Sequence, residues 1–482
     1  WSGGLTNPPP ILEIPRMSVF GRALPTLRTE IPGPESKRWV EALAQTECPA
    51  ITARRSRRQE KGGVGQDPIV WERASGSNIE DVDGNVYVDL TSAFAVAGIG
   101  HAHPRVQAAA AEQSSTLIHA MGDVYPGRVK IQLAKRLADL CPGDLEVSIF
   151  AMTGAEAVEA ALKTAAVATG KSEVIAFSDS YHGLSLGALN VTAYRKEFKA
   201  PFMGQLARFG RHLPFPNCYR CPLGETRESC ELACLNLVRQ ALDSPASGMS
   251  DVGAVLVEPI QGRGGIVIPP EDWLVGLAEL CKAHDVLLIF DEIYTGFGRT
   301  GTWFAAEHSR VTPDLMCIGK AMGGGFPISA VVGSRDVMER WGLSAGESIH
   351  TSTFLGNPLG CAMALASLDA LESEEMVTRA AALEDTLRAG LEALAAKHEI
   401  IGDVRGRGAM FGVELVESRQ SKVPASTVSL RICRQLLERG YVVLPSGVFG
   451  NVISLVPPFV ITDEQLESFF ECFDFLLANA TN

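Results

Sequence analysis

The sequence predicts an α/β fold with a mostly parallel sheet in a large domain and a smaller α+β domain after it. Short apolar segments alternate with amphipathic helical segments between about residues 105 and 375, as in parallel sheets whose strands are joined by helices. At 482 residues the chain exceeds one small module. We divide it into an N-terminal arm with part of the small domain (1–95), a large domain (96–375) and a C-terminal small domain (376–482).

The first part of the chain predicts an irregular arm and a hairpin. Residues 1 to about 60 are rich in Pro and Arg, and "ESKRWVEALAQ" predicts a short helix. The stretch "IEDVDGNVYVDL" then predicts a hairpin that turns at Asp83–Gly84. The basic segment "ITARRSRRQEKGG" lies before it, and its charge run favours a solvated surface over an anion-binding patch.

The middle of the chain supplies the strands of the predicted sheet, namely "EVSIFAMT", "EVIAFSD", "VGAVLVEP", "VLLIFDE" and "DLMCIGK". The segments "GAEAVEAALKTAAVATG" and "WLVGLAELCKAHD" predict helices between them. After residue 376, "MVTRAAALEDTLRAGLEALAAKH" predicts a long helix, and "GAMFGVEL" and "NVISLVPP" predict strands. A final amphipathic helix is expected to begin near Asp463.

Charge and hydropathy exclude several classes of protein. The net charge of −13 argues against nucleic-acid binding, which needs surplus Lys and Arg. The sequence contains no apolar run close to the ~20 residues of a membrane span. The beginning "WSGGLTNPPP" lacks the pattern of a secretory signal. With eleven cysteines expected to stay reduced, we predict a cytoplasmic protein that acts on small molecules.

Two charged residues follow neighbouring predicted strands. Asp291 ends the apolar run "VLLIF", and Lys320 follows "LMCIG". Alone, Asp291 could cap a helix and Lys320 could form a structural ion pair. Together they suit pyridoxal phosphate (PLP), which needs an amine for its Schiff base and a carboxylate for its ring nitrogen. Residues 323–325 are all glycine and leave space beside the lysine.

Two further segments suit the same cofactor. "MTGAEAVEAALK" follows a strand and opens a helix, so the amides of its first turn face outward as in phosphate sites. "SDSYHG" follows the next strand and places Tyr181 where a flat ring can stack on a pyridine. A tight turn and an ordinary packed tyrosine explain these residues equally well when each is taken alone.

From about residue 70 to its end, the chain resembles the class III aminotransferases of PLP fold type I, which include ornithine, 4-aminobutyrate and ω-amino-acid enzymes. The resemblance is carried, in the family's order and spacing, by "GHAHP", "TGAEA", "YHG", "VEPIQG", "LLIFDEIYTGFGRTG", "GKAMGGGFP" and "HTSTFLGNP". It implies that Lys320 forms the Schiff base, that Asp291 pairs with the pyridine nitrogen and that Tyr181 stacks on the ring. His182 would lie beside Tyr181, and Ile293 would pack on the opposite ring face.

The resemblance also implies a homodimer, possibly assembled into a tetramer, whose active sites lie between the subunits. Gly154 and Ala155 would hold the phosphate within one subunit, and Ser352 and Thr353 would reach it from the partner. Glu258 would lie near the point where the substrate joins the cofactor.

Four residues depart from the family pattern. Tyr294 stands where many members have a glutamine that binds the cofactor's 3-oxygen, and its phenol can donate the same bond. Arg263 replaces a gating glutamate, Ser454 replaces an arginine that clamps the α-carboxylate, and Phe94 matches a substrate-contacting tyrosine. Either the substrate lacks an α-carboxylate, as an amine or amino sugar does, or Arg263 has taken over its binding.

The predicted function is amino-group transfer between an amine or amino acid and a keto acid through Lys320. The alternative is an amino-acid racemase or epimerase of the same family, which would use the same residues. A third hypothesis is a non-catalytic, metal-binding scaffold.

One insertion bears on that third hypothesis. In "PNCYRCPLGETRESCELAC", the spacing of Cys218, Cys221, Cys230 and Cys234 is that of a zinc knuckle or of a loop with free thiols. Because the family fold needs no metal, we predict none.

Overall fold

The computed structural model describes residues 19–52 and 68–480. The basic segment from Arg54 to Lys61 therefore lies outside the described residues. Among the described residues, no helix is long and apolar enough to cross a membrane.

The strands form three sheets and are numbered in chain order. They are β1 (Trp71–Ser75), β2 (Asn78–Asp81), β3 (Val86–Asp89), β4 (Leu145–Ala151), β5 (Glu173–Phe177), β6 (Gly210–Leu213), β7 (Val252–Val257), β8 (Leu287–Asp291), β9 (Leu315–Ile318), β10 (Ser329–Ser334), β11 (Ile401–Arg407), β12 (Met410–Leu415), β13 (Tyr441–Val442), β14 (Leu444–Ser446) and β15 (Val452–Leu455).

Five helices fall where the sequence patterns predicted them, and further helices lie between these. They are α1 (Pro34–Thr46), α2 (Pro49–Thr52), α3 (Pro104–Thr116), α4 (Arg128–Leu140), α5 (Gly154–Thr169), α6 (Leu186–Val191), α7 (Lys196–Lys199), α8 (Ala233–Asp243), α9 (Glu271–Ala283), α10 (Ala306–Ser309), α11 (Arg335–Met338), α12 (Pro358–Ser373), α13 (Met376–Lys397), α14 (Ser426–Leu437) and α15 (Asp463–Ala478). A 3₁₀ turn at Lys320–Gly323 follows β9.

The central sheet has the strand order β4-β10-β9-β8-β7-β5-β6. Its pairs are parallel except those of β10, which runs antiparallel to both β4 and β9. The predicted mostly parallel sheet is therefore confirmed. Because the carboxyl ends of parallel strands meet at one edge, the residues that follow β4, β5, β7, β8 and β9 converge there.

Helices cover both faces of this sheet. Because successive side chains of a strand point to opposite faces, each strand contributes to a core on both sides of the sheet. On one face, the alanine-rich side of α5 packs close to alternate strand residues such as Ala254, Ile289 and Cys317. On the other face, neighbouring strand residues such as Val255 and Phe290 join the larger core with α9 and α12. Continuous apolar strands are expected of a sheet buried on both sides.

The predicted hairpin is confirmed and is tied to the N-terminal helix. Strands β2 and β3 pair antiparallel around Gly84, whose φ of +78° suits glycine. Asp83 in this turn accepts hydrogen bonds from the backbone amides of Glu35 (2.8 Å) and Ser36 (2.9 Å), and so caps the first turn of α1. β3 also pairs with β13, which joins the hairpin to the C-terminal part of the chain. The three-part domain division itself stays a prediction.

Residues 92–95 form a left-handed turn with φ between +46° and +66°, although none of them is glycine. Such a run is strained and needs outside support. The Asp89 carboxylate accepts hydrogen bonds from the amides of Thr91 and Ala93, and Arg299 donates to the Ser92 hydroxyl (3.2 Å). These bonds fix the turn that carries Phe94.

Candidate active site

A group of predicted site residues lies at the carboxyl edge of the central sheet, as the predicted strand ends required. Each follows a different strand: Gly154 follows β4, Tyr181 follows β5, Glu258 follows β7, Asp291 ends β8 and Lys320 follows β9. Five separate segments of the chain thus converge at one edge of the sheet, and the space between them is called the pocket below.

The carboxylate of Asp291 lies deep in this pocket, and its side chain is only 4% exposed. Its Oδ2 lies 2.7 Å from His182 Nδ1, and its Oδ1 accepts a hydrogen bond from the amide of Ile293 (3.1 Å). Because a carboxylate only accepts, Nδ1 carries the proton. The amide of His182 donates to Thr192 Oγ1 (2.9 Å), and its buried Nε2 has no partner among the described residues. These bonds therefore hold the buried carboxylate of Asp291 in a fixed orientation.

The amine of Lys320 has no hydrogen-bond or acidic partner among the described residues. Its Nζ lies 4.0 Å from the centre of the Tyr294 ring, and its backbone has φ +46°. The pKa of this amine is lowered to about 8, mainly by burial; Asp291 and Glu258 act to raise it, and the charges of Arg263 and Arg299 act to lower it. A substantial fraction of the amine is therefore neutral near neutral pH.

The ring of Tyr294 lies beside the amine of Lys320. A Cβ atom on Gly262 would lie 3.0 Å from Cγ of the Tyr294 ring, so the bare glycine makes room for it. Burial raises the pKa of Tyr294 to about 12, which keeps its phenol protonated and able to donate a hydrogen bond.

The N-terminus of α5 closes the β4 side of the pocket. Thr153 and Glu156 form a capping box, while the amides of Gly154 and Ala155 donate to no described group. A Cβ on Gly154 would lie 2.9 Å from Cδ1 of Ile293, which places Ile293 directly against this turn. Two free amides at the start of a long helix suit a phosphate.

Glu258 and Tyr181 are joined on the β7 side. The Glu258 carboxylate accepts hydrogen bonds from the amides of Tyr181 (3.0 Å) and Gly262 (2.9 Å) and is 5% exposed. Its burial raises its pKa. The ring of Tyr181 lies edge-on to Tyr194 (6.3 Å) and Phe198 (6.5 Å). Sequence reasoning missed these two aromatic residues, because nothing in "VTAYRKEFK" points to the pocket.

The three predicted substrate residues lie in different environments. The Arg263 guanidinium stacks over the Tyr181 ring at 4.4 Å. Ser454 is buried, and its hydroxyl donates to Ser446 Oγ (2.7 Å). Phe94 is 56% exposed on the left-handed turn.

Ser352 and Thr353 are both exposed and make no side-chain hydrogen bond within the described chain. Their segment is tied to residues 117–125, since Thr351 Oγ1 donates to Asp123 (2.8 Å) and Phe354 contacts the His119 ring at 5.3 Å. Within this chain they are not joined to the group around Lys320.

The four cysteines of the insertion, which follows β6 and runs into α8, line one small cavity: Cys218, Cys221, Cys230 and Cys234. None of them is in a disulfide. In the part of the chain that the structure describes, no group of three or more His, Cys, Asp or Glu side chains is placed to hold a metal ion.

The residues of the pocket fit PLP. A buried carboxylate without a Lys or Arg partner suits a protonated pyridine nitrogen, and a partly neutral amine suits the cofactor's aldehyde. The two free amides of α5 suit its phosphate. The unpartnered His182 Nε2 and the protonated Tyr294 phenol are further polar groups near this pair.

Comparison with known proteins gives the same result. The family model described as aminotransferase class III matches residues 61–477. A 5-aminovalerate aminotransferase of Pseudomonas aeruginosa is 38% identical over 422 residues, which cover 86% of this chain and 95% of that protein. A leucine/methionine racemase of Thermococcus litoralis is 34% identical over 401 residues, covering 83% and 88%.

Among solved structures, an amine transaminase from an uncultivated Pseudomonas species in its PLP-bound form aligns with a TM-score of 0.80 and 29% identity. The alignment covers 86% of this chain and 95% of that one. The chain therefore belongs to the class III aminotransferases and is a PLP-dependent aminotransferase of fold type I.

Proposed function

We propose that the chain moves amino groups between an amine or amino acid and a keto acid, with Lys320, Asp291 and Tyr181 as its catalytic residues. One observation carries the assignment. The partly neutral amine of Lys320 and the buried carboxylate of Asp291 lie at the ends of neighbouring strands. Among the described residues, the amine has no acidic partner within 4 Å, and the carboxylate has no Lys or Arg partner.

The remaining roles follow from the contacts around this pair. Asp291, oriented by His182, would pair with the ring nitrogen of PLP, and Tyr181 and Ile293 would enclose the ring. The amides of Gly154 and Ala155 would bind the phosphate. Tyr294 would donate its phenol proton as a hydrogen bond to the 3-oxygen, and Glu258 would keep the Tyr181 segment in place through its backbone bond.

When bound, PLP supplies an electron sink that stabilises negative charge on the carbon bearing the amino group. Lys320 would hold the cofactor through its amine. When the incoming substrate releases it, its neutral Nζ would take the proton from that carbon. For transamination, it would then deliver the proton to the cofactor carbon that carried the aldehyde. A lowered pKa is what this role requires, because a fully protonated lysine cannot accept a proton.

A racemase reaction would use the same residues and differ only in where the proton is returned. The Thermococcus litoralis relative is named a leucine/methionine racemase. Transamination is the better supported function, because the family model and the 5-aminovalerate aminotransferase both carry that activity in their names.

We also propose that the active site is shared within a homodimer. Two such dimers could assemble into a tetramer. The surface beside Ser352 and Thr353 supports this. It exposes large apolar side chains that a monomer would bury: Ile118 (58%), Met121 (51%), Val124 (60%), Tyr125 (70%), Ile131 (59%) and Phe354 (54%). If a second copy covers this surface, Ser352 and Thr353 of each copy would reach the phosphate bound in the pocket of the other copy.

A cytoplasmic location is part of the proposal. It is supported by Cys218, Cys221, Cys230 and Cys234, which stay as thiols although they line the same cavity. An oxidising compartment would favour their pairing.

The proposal is tested at Lys320. Borohydride reduction of the holoenzyme should fix PLP on the peptide that contains Lys320. Lys320→Ala should bind PLP through the phosphate site without being labelled, and should lose at least about a hundredfold to ten-thousandfold in turnover, the usual contribution of a general base. Lys282→Ala, on the exposed part of α9, is the control and should behave as wild type.

Label on another lysine, or near-native turnover by Lys320→Ala, would refute the assignment. A panel of amines, amino acids and amino sugars then identifies donors by the loss of cofactor absorbance. Exchange of substrate protons with deuterated solvent without that loss would indicate racemisation instead.

A further inference from the structure

We infer that Cys218 and Cys221 form a reversible disulfide across Tyr219 and Arg220, and that this bond changes how the cysteine insertion contacts the C-terminal sheet. The cysteine insertion is residues 214–234, between β6 and α8, and the C-terminal sheet consists of β11, β12, β14 and β15. The two thiols are thus a site of modification by an oxidant. The effect on turnover rests on the proposed function, whereas the disulfide itself does not.

The thiols of the cysteine insertion are grouped and accessible. Five cysteines elsewhere in the chain are buried: Cys141, Cys281, Cys317, Cys361 and Cys433. The insertion instead gathers four around one cavity of about 20 Å³, which has room for about one water molecule. Cys218 is exposed and Cys221 is partly exposed. Since no three of the described His, Cys, Asp and Glu side chains are placed to hold a metal ion, we consider the chemistry of free thiols here.

The local backbone brings Cys218 and Cys221 together. The two residues flank a turn at Tyr219 and Arg220, and the Arg220 amide donates to Asn217 Oδ1 (3.1 Å). The Cα atoms at the ends of such a turn lie less than about 7 Å apart, which is close to the span of a disulfide. Cys-x-x-Cys is also the spacing of thioredoxin-like redox pairs. The pair therefore needs only a small rearrangement to close.

Cys230 is the competing partner for Cys218. Burial is the main cause that raises the pKa of Cys218, Arg227 acts to lower it, and the charges of Cys230 and Cys221 act to raise it. The sulfur of Cys230 donates instead to the Arg227 carbonyl (3.9 Å). A bond between Cys218 and Cys230 would also have to close a much longer loop, which costs more chain entropy. We therefore assign the disulfide to Cys218 and Cys221.

The two residues enclosed by this pair join the insertion to the C-terminal sheet. Arg220 Nε donates to the buried carboxylate of Glu414 on β12. The Tyr219 carbonyl accepts a hydrogen bond from Lys422 Nζ (3.1 Å), and its phenol lies directly against Gly402 of β11. A disulfide ring imposes its own geometry on the residues that it encloses. Oxidation would therefore change the contact between Arg220 and Glu414.

Glu414 connects this contact to the active site. Its carboxylate also accepts a hydrogen bond from Arg405 (2.8 Å). Arg405 donates in turn to the last carbonyl of the loop 262–265 (2.7 Å), and the first amide of that loop donates to Glu258 (2.9 Å). Loss of the Arg220 bond would therefore loosen a series of contacts that ends beside the pocket.

A small disulfide, such as glutathione disulfide, is the oxidant that suits this pair. The Cys218 thiolate attacks one of its sulfurs, and a mixed disulfide forms as one glutathione thiolate leaves. The Cys221 thiolate then attacks the sulfur of Cys218, which closes the ring and releases the second glutathione. Two protein thiols are oxidised, one small disulfide is reduced to two thiols, and the two protons pass to the released thiolates. Transient disulfides of this kind occur in reducing compartments as well.

Tryptic mapping distinguishes the possible pairs in the wild-type holoenzyme, because each gives a different product. Peptide 212–220 contains Cys218, peptide 221–227 contains Cys221, and peptide 228–239 contains both other thiols. After equilibration with glutathione disulfide and blocking with iodoacetamide, the first two peptides should be linked. Titratable thiols should fall by two from the eleven of the reduced chain, and dithiothreitol should restore them.

Oxidation should also lower turnover about fivefold or more, the lower end of the usual coupling between separate sites, and dithiothreitol should reverse the loss. Cys221→Ser should keep wild-type turnover and lose the response. Cys48→Ser, which removes an exposed thiol between α1 and α2, is the matched control and should respond as wild type does. Arg220→Gln should have the lower turnover already in the reduced state, and Arg220→Lys should recover part of it.

The mapping and the kinetics can each overturn the inference. Linkage of peptide 212–220 to peptide 228–239, or no linked peptide in glutathione disulfide alone, would show that the assigned pair is wrong. A linked pair with unchanged turnover would show that it does not act on the active site. Neither result bears on the proposed function, which fails instead if borohydride leaves no PLP label on Lys320 of the reduced wild type.

Discussion

The basicity of Lys320 can be measured before any substrate is known. Burial lowers the pKa of its amine to about 8 from an ordinary 10.5, with the positive charges of Arg263 and Arg299 acting in the same direction. Only the neutral amine reacts with an aldehyde. We therefore expect the apoenzyme to capture PLP at a rate that rises with pH through an apparent pKa of about 8.

The size of the effect follows from the two pKa values. At about pH 7.5, a lysine with pKa about 8 is neutral in roughly a quarter of molecules, against roughly 0.1% for an ordinary lysine. The pocket thus raises the reactive fraction by about two orders of magnitude. Replacing Arg263 by Gln should move the apparent pKa upward, because that arginine is one of the charges that lower it.

Stability should change with pH in the matching direction. The unfolded chain keeps the ordinary lysine pKa, so between pH 8 and 10.5 the unfolded state binds more protons than the folded state. The free energy of unfolding of the apoenzyme should therefore rise with pH in this window, by up to about 1.4 kcal/mol per pH unit, relative to Lys320→Met. Below pH 8 both states are protonated and the difference should be constant.

Stopped-flow absorbance of apoenzyme mixed with PLP, recorded from pH 6.5 to 10.5, measures the first effect, and chemical denaturation of wild type and Lys320→Met measures the second. A capture rate that still rises steeply above pH 10, with no difference in stability between the two proteins, would refute the reasoning about burial.

Two further predictions concern the cofactor site. Asp291→Asn should keep PLP but lose about a hundredfold or more in turnover, because an amide cannot stabilise a protonated ring nitrogen. Normal turnover by the purified variant would show that Asp291 does not have this role. A Ser352→Ala/Thr353→Ala variant should bind PLP more weakly, since each charge-assisted phosphate bond is worth about 1.5–3 kcal/mol. Mixed with Lys320→Ala it should regain part of the activity through hybrid dimers, and no regain despite measured subunit exchange would argue against a shared site.

Local pattern was sufficient to predict the elements that position the site. Asp291 ends one short apolar run and Lys320 follows another, both runs predict buried strands, and parallel strands bring their carboxyl ends together. The order of strands and helices therefore placed both residues at one edge without any knowledge of the pairing. The start of α5 was predictable in the same way, because a capping residue and small residues precede a long helical pattern.

Contacts between distant segments were not predictable in this way. No local signal shows that Gly262 lacks a side chain to admit the Tyr294 ring, or that the Gly447 amide binds the Arg263 carbonyl. The left-handed turn at residues 92–95 contradicts local preference altogether, since Ala and Phe avoid such backbone angles. It exists because Asp89 and Arg299 bind it from outside.

The charges around Lys320 help to set the basicity of its amine. The chain carries a net charge of −13, yet Lys320 lies among the charges of Arg263 and Arg299 as well as those of Asp291 and Glu258. While Arg263 is unpaired, its charge helps to keep Lys320 neutral and ready to react. Burial and the two arginines thus outweigh the two acids, and they leave the lysine with the partly neutral amine that a Schiff base requires.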